Sequence, residues 1–262
     1  MKAALLLKTG NPEDLKNNLV LKEIPVPEIK TNEVLVQIKS ASINRRDLFI
    51  SKGLYPKINL PVVLGSDCSG IIHSKGKNVD EFENGDEVLI NPGINWGDNE
   101  NFQSIEFKIL GMPDNGTFAE FVKIEKSYLY RKPAHLDFEQ ASAIPLAGVT
   151  AFRALYKKAN LTEKDNILIT GIGGGVSSLA LSFALKTCEN VFVTSGSDIK
   201  IAKAVSLGAN AGVNYNEENW HKKISEISGN KINVVIDSSG GETYSKCLEI
   251  LNPGGRIVSY GA

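Results

Sequence analysis

The chain has 262 residues, 42% of them apolar and 23% charged, and a formal net charge of −1, which fits one large globular domain or two ordinary ones. A charge so near zero gives no electrostatic case for binding nucleic acid or an anionic membrane surface. Cys68, Cys188 and Cys247 are too few and too scattered for a disulfide framework or a four-cysteine zinc lobe. The apolar run at the start, Met1–Lys8, is too short for a signal peptide or a membrane span, so a reducing cytoplasm is expected.

To about Tyr130 the chain reads as short strands and turns. Val34, Val36 and Ile38 alternate with Leu35, Gln37 and Lys39; Pro61–Leu64 runs into Gly65, and Gly70–His73 into a turn at Lys75–Lys77. Asn84–Asp86 is a turn before the strand Val88–Ile90, and Gly116–Val122 reads as a further strand. Such spacing predicts a β-rich, barrel-like unit. Between these strands, Asn91–Met112 is an inserted loop whose Trp96, Phe102 and Phe107 can cap a cleft, anchor a dimer or pack the loop itself.

From Asn166 the pattern changes. A short β-branched strand, Ile167–Ile169, meets the turn Gly171-Ile172-Gly173-Gly174-Gly175-Val176 and then an apolar helix. Val176, Leu179, Ala180, Phe183 and Ala184 recur at helical spacing and define its inner face. Glycines at such a turn let the backbone approach phosphate oxygens without a Cβ clash, and the helix start offers unpaired N–H groups and partial positive charge. A plain strand–helix turn is the alternative. The turn fits G-x-x-G-G-V better than strict G-x-G-x-x-G, because Ser177 stands where a third glycine would.

Strands at Val191–Thr194, Ala211–Tyr215, Ile232–Ile236 and Arg256–Tyr260 then alternate with helices at Asp198–Leu207, Trp220–Ile227 and Tyr244–Leu251. Ser197 is a candidate N-cap and Gly208 a candidate C-terminal glycine of the first of these helices. This order predicts a doubly wound parallel sheet of five strands, one short of the usual six in order 3-2-1-4-5-6.

Several segments together carry a family resemblance: Ala41-Ser-Ile-Asn44-Arg-Arg-Asp47, Pro61-Val-Val-Leu-Gly65-Ser66-Asp67-Cys-Ser-Gly70, Gly85-Asp-Glu-Val88, Gly116-Thr-Phe-Ala-Glu-Phe121, Ile144-Pro-Leu-Ala-Gly-Val-Thr150-Ala151, Gly171–Val176 and Gly254-Gly-Arg256. The chain resembles the medium-chain dehydrogenase/reductase superfamily, in its zinc-free quinone oxidoreductase-like and zinc-type alcohol dehydrogenase-like branches. The resemblance implies an α/β plus β fold: a GroES-like β-barrel catalytic domain, residues 1–130, and a Rossmann dinucleotide-binding domain, residues 131–262, lacking its last strand. Members continue past this end and return to complete the first domain, so the chain reads as a C-terminally truncated member.

The resemblance also bears on metal. Zinc-using members place Cys where Asn44 stands, His-Glu where Ser66-Asp67 stand, and another Cys within Leu146–Val149. Catalytic zinc needs three strong protein ligands and an open position; an amide, a hydroxyl and one carboxylate do not supply them. The segment Asn91–Gly111 holds no cysteine for a structural zinc, and His73, His135 and His221 lack ligand spacing. No metal is expected.

For the cofactor, an NAD-selecting carboxylate is missing where the second strand ends, Val193-Thr-Ser195-Gly-Ser197. Ser195 and Ser197 can donate to a 2′-phosphate and Lys200 can supply charge, unless Lys200 only solvates a helix face. NADPH is therefore expected, held by Gly171, Gly173, Gly174, Gly175, Val176, Ser195, Ser197 and Lys200. Tyr215, which ends the third strand, is also expected to bind the cofactor. Tyr260 ends the fifth and either packs on the cofactor or is half-buried core. By resemblance, Asn44 lies near the nicotinamide and Thr150 contacts it; Asn44 can donate to a substrate carbonyl, although a residue after a strand is also a plain turn position. Tyr55 either donates a proton or lines the pocket. Arg45, Arg46 and Asp47 read as an ion-paired structural cluster. The expected activity is hydride transfer to a quinone or an activated alkene such as an enone or enoyl thioester, by a monomer or homodimer. Carbonyl reduction on the same scaffold, or a non-catalytic NADPH-binding protein or fragment, are the alternatives.

Overall fold

A computed structural model describes residues 1–261; Ala262, the last residue of the expected second domain, lies outside the described residues. Two compact units divide after Leu146, later than the expected boundary at 130. In the first unit, elements run β1 (Lys2–Leu6), α1 (Leu15–Asn18), β2 (Leu19–Glu23), β3 (Glu33–Ser42), α2 (Arg45–Ser51), β4 (Val62–Val63), β5 (Asp67–Lys75) and β6 (Glu87–Ile90). They continue with β7 (Gly93–Ile94), β8 (Lys108–Ile109), β9 (Phe121–Glu125), β10 (Leu129–Arg131) and α3 (Phe138–Ser142). The boundary falls late because β10 pairs with β6 and α3 packs on β3 and β5. Ser40 Oγ meets Ser142 Oγ at 3.0 Å, and Ser69 donates to the Phe138 carbonyl.

A curled antiparallel sheet, order β10-β6-β5-β3-β9, forms the body of this unit, beside a smaller sheet β2-β1-β4. Ala4 N–H donates to the Phe118 carbonyl at 2.8 Å and joins the two. Alternation puts Val34, Val36, Ile72, Val88, Ile90, Val122 and Ile124 into one core. The last expected strand starts only at Phe121: Gly116–Glu120 is irregular, because Thr117 turns inward to donate to the Asp67 carbonyl at 2.9 Å. The inserted loop carries the hairpin β7–β8, and Trp96 packs edge-on against Phe107 with ring centroids 5.0 Å apart, while Phe102 is exposed. Those two rings pack the loop.

The second unit continues with α4 (Pro145–Phe152), which begins at the end of the first, then β11 (Asn166–Ile169), α5 (Gly175–Ala184), β12 (Asn190–Ser195), α6 (Asp198–Ser206) and β13 (Ala211–Asn214). It ends with α7 (Trp220–Ile227), β14 (Val234–Asp237), α8 (Gly241–Ile250) and β15 (Arg256–Ser259). All five strands are parallel, in order β13-β12-β11-β14-β15, the expected 3-2-1-4-5. Ile167, Ile169, Val191, Val193 and Ile236 face α5 and α6, whereas Leu168, Phe192, Val213 and Val235 face α7 and α8. Burial on both faces explains why these strands read as continuous apolar runs.

The inner face of α5 is turned one position from the expected one. Ser177, Ala180, Leu181 and Ala184 are buried, and Val176, Leu179 and Phe183 flank them. Ser177 occupies a core position because its hydroxyl finds a backbone partner there, described below. At α6, Ser197 takes the N-cap conformation but makes no side-chain capping bond, and Gly208 has φ of +121° after the helix end. Among the described residues no helix is long and apolar enough to cross a membrane.

Gly70 on β5 leaves no room for a side chain against β3. A Cβ there would lie 2.3 Å from the Gln37 carbonyl oxygen on the neighbouring strand. Backbone in a five-stranded sheet cannot retreat as a flexible side chain can, so Gly70→Ala is expected to cost about 3 kcal/mol or more. Urea denaturation followed at the first unit's transition checks this, and an unchanged midpoint would contradict the close approach.

Candidate functional site

The described residues place candidate groups in each unit. In the second, β11 ends at Ile169, Thr170 follows, and the backbone turns through Gly171–Gly174 into α5. Gly173 has φ of +101°, and a Cβ on it would sit 2.6 Å from Lys200 Cδ. The lysine stem therefore occupies the place that a side chain on residue 173 would take. Gly174 N–H donates to Ser177 Oγ at 3.1 Å, and that hydroxyl donates to the Gly171 carbonyl at 2.9 Å. Ile172 N–H reaches the Thr194 carbonyl at 2.7 Å, which ties the turn to β12.

Gly173, Gly174 and Gly175 are exposed. The first intrahelical bond of α5 runs from Ser178 N–H to the Gly174 carbonyl at 3.0 Å, so the N–H groups of Gly175 and Val176 come before it. A bare turn followed by a helix N-terminus of this kind can receive phosphate oxygens. Ala147 Cβ lies 3.5 Å from where a side chain on Gly175 would begin; Thr150 stands one turn further along α4, half-buried.

A second turn closes beside the first. Buried Asp237 ends β14 and accepts from Thr170 Oγ1 at 2.7 Å, Ser239 N–H at 3.1 Å and Gly240 N–H at 3.0 Å. Ser238 N–H donates to Thr170 Oγ1 at 3.0 Å, which brings Ser238 next to Gly171. Sequence reading passed over this turn, although Asp-Ser-Ser-Gly-Gly after a buried strand was a usable signal.

At the end of β12 the expected donors separate. Ser195 is buried and its hydroxyl donates inward to the Ile172 carbonyl at 3.1 Å, so that proton is not offered to a ligand. Ser197 is half-buried and Lys200 exposed. Asp198, on the first turn of α6, accepts from Asn214 Nδ2 at 2.9 Å. The Tyr215 hydroxyl lies 2.9 Å from where a Cβ on Gly196 would be. Tyr260 is half-buried against the core on the α5 side, and its N–H donates to the Asp237 carbonyl at 3.0 Å.

In the first unit Asn44 follows β3 and precedes α2. Its N–H donates to Asp47 Oδ2 at 2.8 Å, a half-formed capping box. Its side-chain Nδ2 donates to Asp67 Oδ2 at 2.9 Å. Asp67 starts β5, is fully buried, and also accepts from Leu146 N–H at 2.8 Å and Ser42 Oγ at 3.4 Å. Burial pushes its carboxyl up to about 6, opposed by the hydrogen bonds from Asn44 and Leu146; the Asp47 charge raises it further.

Arg46 and Asp47 are structural, but not as an ion pair. Buried Arg46 donates to Ser66 Oγ at 2.7 Å and to the Leu110 carbonyl at 2.8 Å, while Asp47 accepts from Asn44 and Gly65 N–H groups. Tyr55 lies under this guanidinium, 5.1 Å from its ring centroid, so its ring face is in a cation–π contact. The three cysteines are buried, which pushes their thiols up.

This corner does not fit zinc. Ser66 accepts from the Arg46 guanidinium and donates to the Leu110 carbonyl at 2.8 Å, so a cation already stands where a ligand would be needed. Asp67 is enclosed by donors. Among the described residues no cluster of three His, Cys, Asp or Glu side chains could hold a metal.

The two units match two models used for dehydrogenases: an alcohol dehydrogenase GroES-like domain over residues 30–134, and a zinc-binding dehydrogenase domain over residues 171–262. Among curated relatives, a zinc-type alcohol dehydrogenase-like protein from Leptosphaeria maculans is 35% identical over 94% of this chain and 72% of its own length. Human quinone oxidoreductase is 29% identical over 100% of this chain and 73% of its own length. A solved structure described as an NAD-dependent alcohol dehydrogenase superposes with a TM-score of 0.92 at 35% identity, over 99% of this chain and 77% of that one. The chain belongs to the medium-chain dehydrogenase/reductase superfamily, among its zinc-type alcohol dehydrogenase-like and quinone oxidoreductase-like members. It is an oxidoreductase of that superfamily, and membership implies a nicotinamide cofactor.

The buried carboxylate has a measurable signature. A folded-state value above the ordinary carboxylate range stabilises the fold fully at low pH and loses that contribution as pH rises through about 6. A shift from 3.8 to about 6 corresponds to about 3 kcal/mol. In urea denaturation, Asp67→Asn should gain on the parent by up to that amount between about pH 4 and pH 7. A difference independent of pH would contradict ionisation at this position.

Proposed function

We propose that the protein is an NADPH-dependent oxidoreductase that works without zinc and reduces a quinone or an activated alkene. The observation that carries the zinc-free reading is the corner of Asn44, Ser66 and Asp67, whose donors are an amide, an engaged hydroxyl and an enclosed carboxylate. The bound nicotinamide supplies the hydride. The protein's own task is then to align the acceptor and to meet the negative charge that develops on its oxygen.

In this reading the backbone from Gly171 to Val176 holds the pyrophosphate, with Ser238 beside it. Ser197 and Lys200 meet the 2′-phosphate, Tyr215 flanks the adenosine end, and Thr150 and Tyr260 contact the nicotinamide end. Asn44 donates its remaining Nδ2 hydrogen to the acceptor oxygen. Tyr55 shapes the pocket from the face opposite Arg46. The name of human quinone oxidoreductase supports this acceptor class.

NADH is the second reading, favoured by the matched NAD-dependent structure and by Asp198, the first residue of α6. Against it, no carboxylate stands at Ser195–Ser197, and Lys200 already lies over the turn. Calorimetric titration decides between them. NADPH should bind more tightly than NADH, and Lys200→Ala should weaken NADPH about tenfold, or about 1.4 kcal/mol, with NADH unchanged. Tighter NADH binding by the parent would overturn the assignment.

A further inference from the structure

We propose that Asp67 is a positioning residue that fixes which face of the Asn44 amide meets the reactants. The inference rests on the reading of Asn44 given above, but its physical basis is the hydrogen-bond set within the first unit. An ionised carboxylate has no donor, so the amide edge facing Asp67 Oδ2 at 2.9 Å must be Nδ2. The flipped amide would set Oδ1 against the carboxylate. Asp67 therefore leaves Asn44 presenting one Nδ2 hydrogen and Oδ1 outward, and excludes the alternative.

The carboxylate is itself held from both sides. Oδ1 accepts the Leu146 N–H at 2.8 Å, and Oδ2 also meets Ser42 Oγ at 3.4 Å. Ser42 pairs with Asp67 across β3 and β5, so the start of one strand is fixed against the end of the other. The main chain of Asn44 is tied separately, by its N–H to Asp47 Oδ2 at 2.8 Å. With backbone and amide edge both set, the side chain has one orientation in place of two. A neutral residue at 67 with a donor of its own could pair with either edge, and the exclusion would be lost.

Other charges lie near. On α2 stand the Asp47 carboxylate and Arg46, whose guanidinium is directed to Ser66 and the Leu110 carbonyl. On β5 stands the Cys68 thiol, kept protonated by burial. Ser42 on β3 and the Leu146 N–H are neutral.

Two measurements on the full chain test the assignment. In nitrogen–proton correlation spectra, the side-chain amide pair of Asn44, assigned by its loss in Asn44→Ala, should move as pH rises through about 6. The movement should vanish in Asp67→Asn. A response that persists in Asp67→Asn comes from Asp47 or elsewhere and overturns the proposal, as does no response in the parent. This arm needs no activity, so it decides even if no acceptor is reduced, an outcome that would count against the proposed function alone.

The second arm is a kinetic cycle with NADPH and an enone. Asp67→Asn should lower kcat roughly 10- to 100-fold, with little change in the KM for NADPH. It should cause no further loss in an Asn44→Ala background, because it acts through that side chain. Losses that multiply in the double variant would show an independent effect and overturn the proposal.

Discussion

The second unit depends on one steric constraint: the backbone leaving β11 turns through a space that side chains on Gly171 and Gly173 would have to share with Ser238 and Lys200. Lys200 crosses that space, and Ser238 borders it. Ser177 then folds inward to bind the Gly171 carbonyl, and Ser195 does the same for Ile172. The turn is thus held rigid from behind while its front stays bare. That division is what a phosphate site requires, since N–H groups organised before the ligand arrives need no rearrangement to receive it.

The first unit answers a different constraint, the burial of a carboxylate with no cation beside it. Three donors from two segments surround Asp67, yet desolvation still outweighs them and its carboxyl is raised. Arg46 does not neutralise it; the guanidinium is directed to Ser66 and to backbone carbonyls. A metal corner would have thiolates and imidazoles in these places. Here an amide, a hydroxyl and one carboxylate stand instead, joined by hydrogen bonds.

Much of this was legible in the residues. Strands such as Ile167–Ile169 are buried on both faces, so their β-branched runs show without reference to partners, and the strand–helix alternation gave the sheet order. What escaped depends on partners distant in sequence. The inner face of α5 was read one position off because Ser177 looks polar and solvent-facing until the Gly171 carbonyl is placed beside it. Ser195 looked available as a donor for the same reason, its partner lying on another strand end. Thr117 turned what alternation marks as a strand into irregular backbone. The Asp67 cluster joins β3, β5 and the start of α4, and no local pattern announces it.

Hydride transfer from nicotinamide to carbon without a metal, as proposed, can be followed by isotope. Its most direct measurement is a single turnover by chelator-treated protein with NADPH deuterated at C4 and a cyclic enone. Deuterium should appear on the β-carbon of the product at an unchanged rate after chelation. Deuterium on the former carbonyl carbon, or transfer that appears only when zinc is restored, would contradict the proposal.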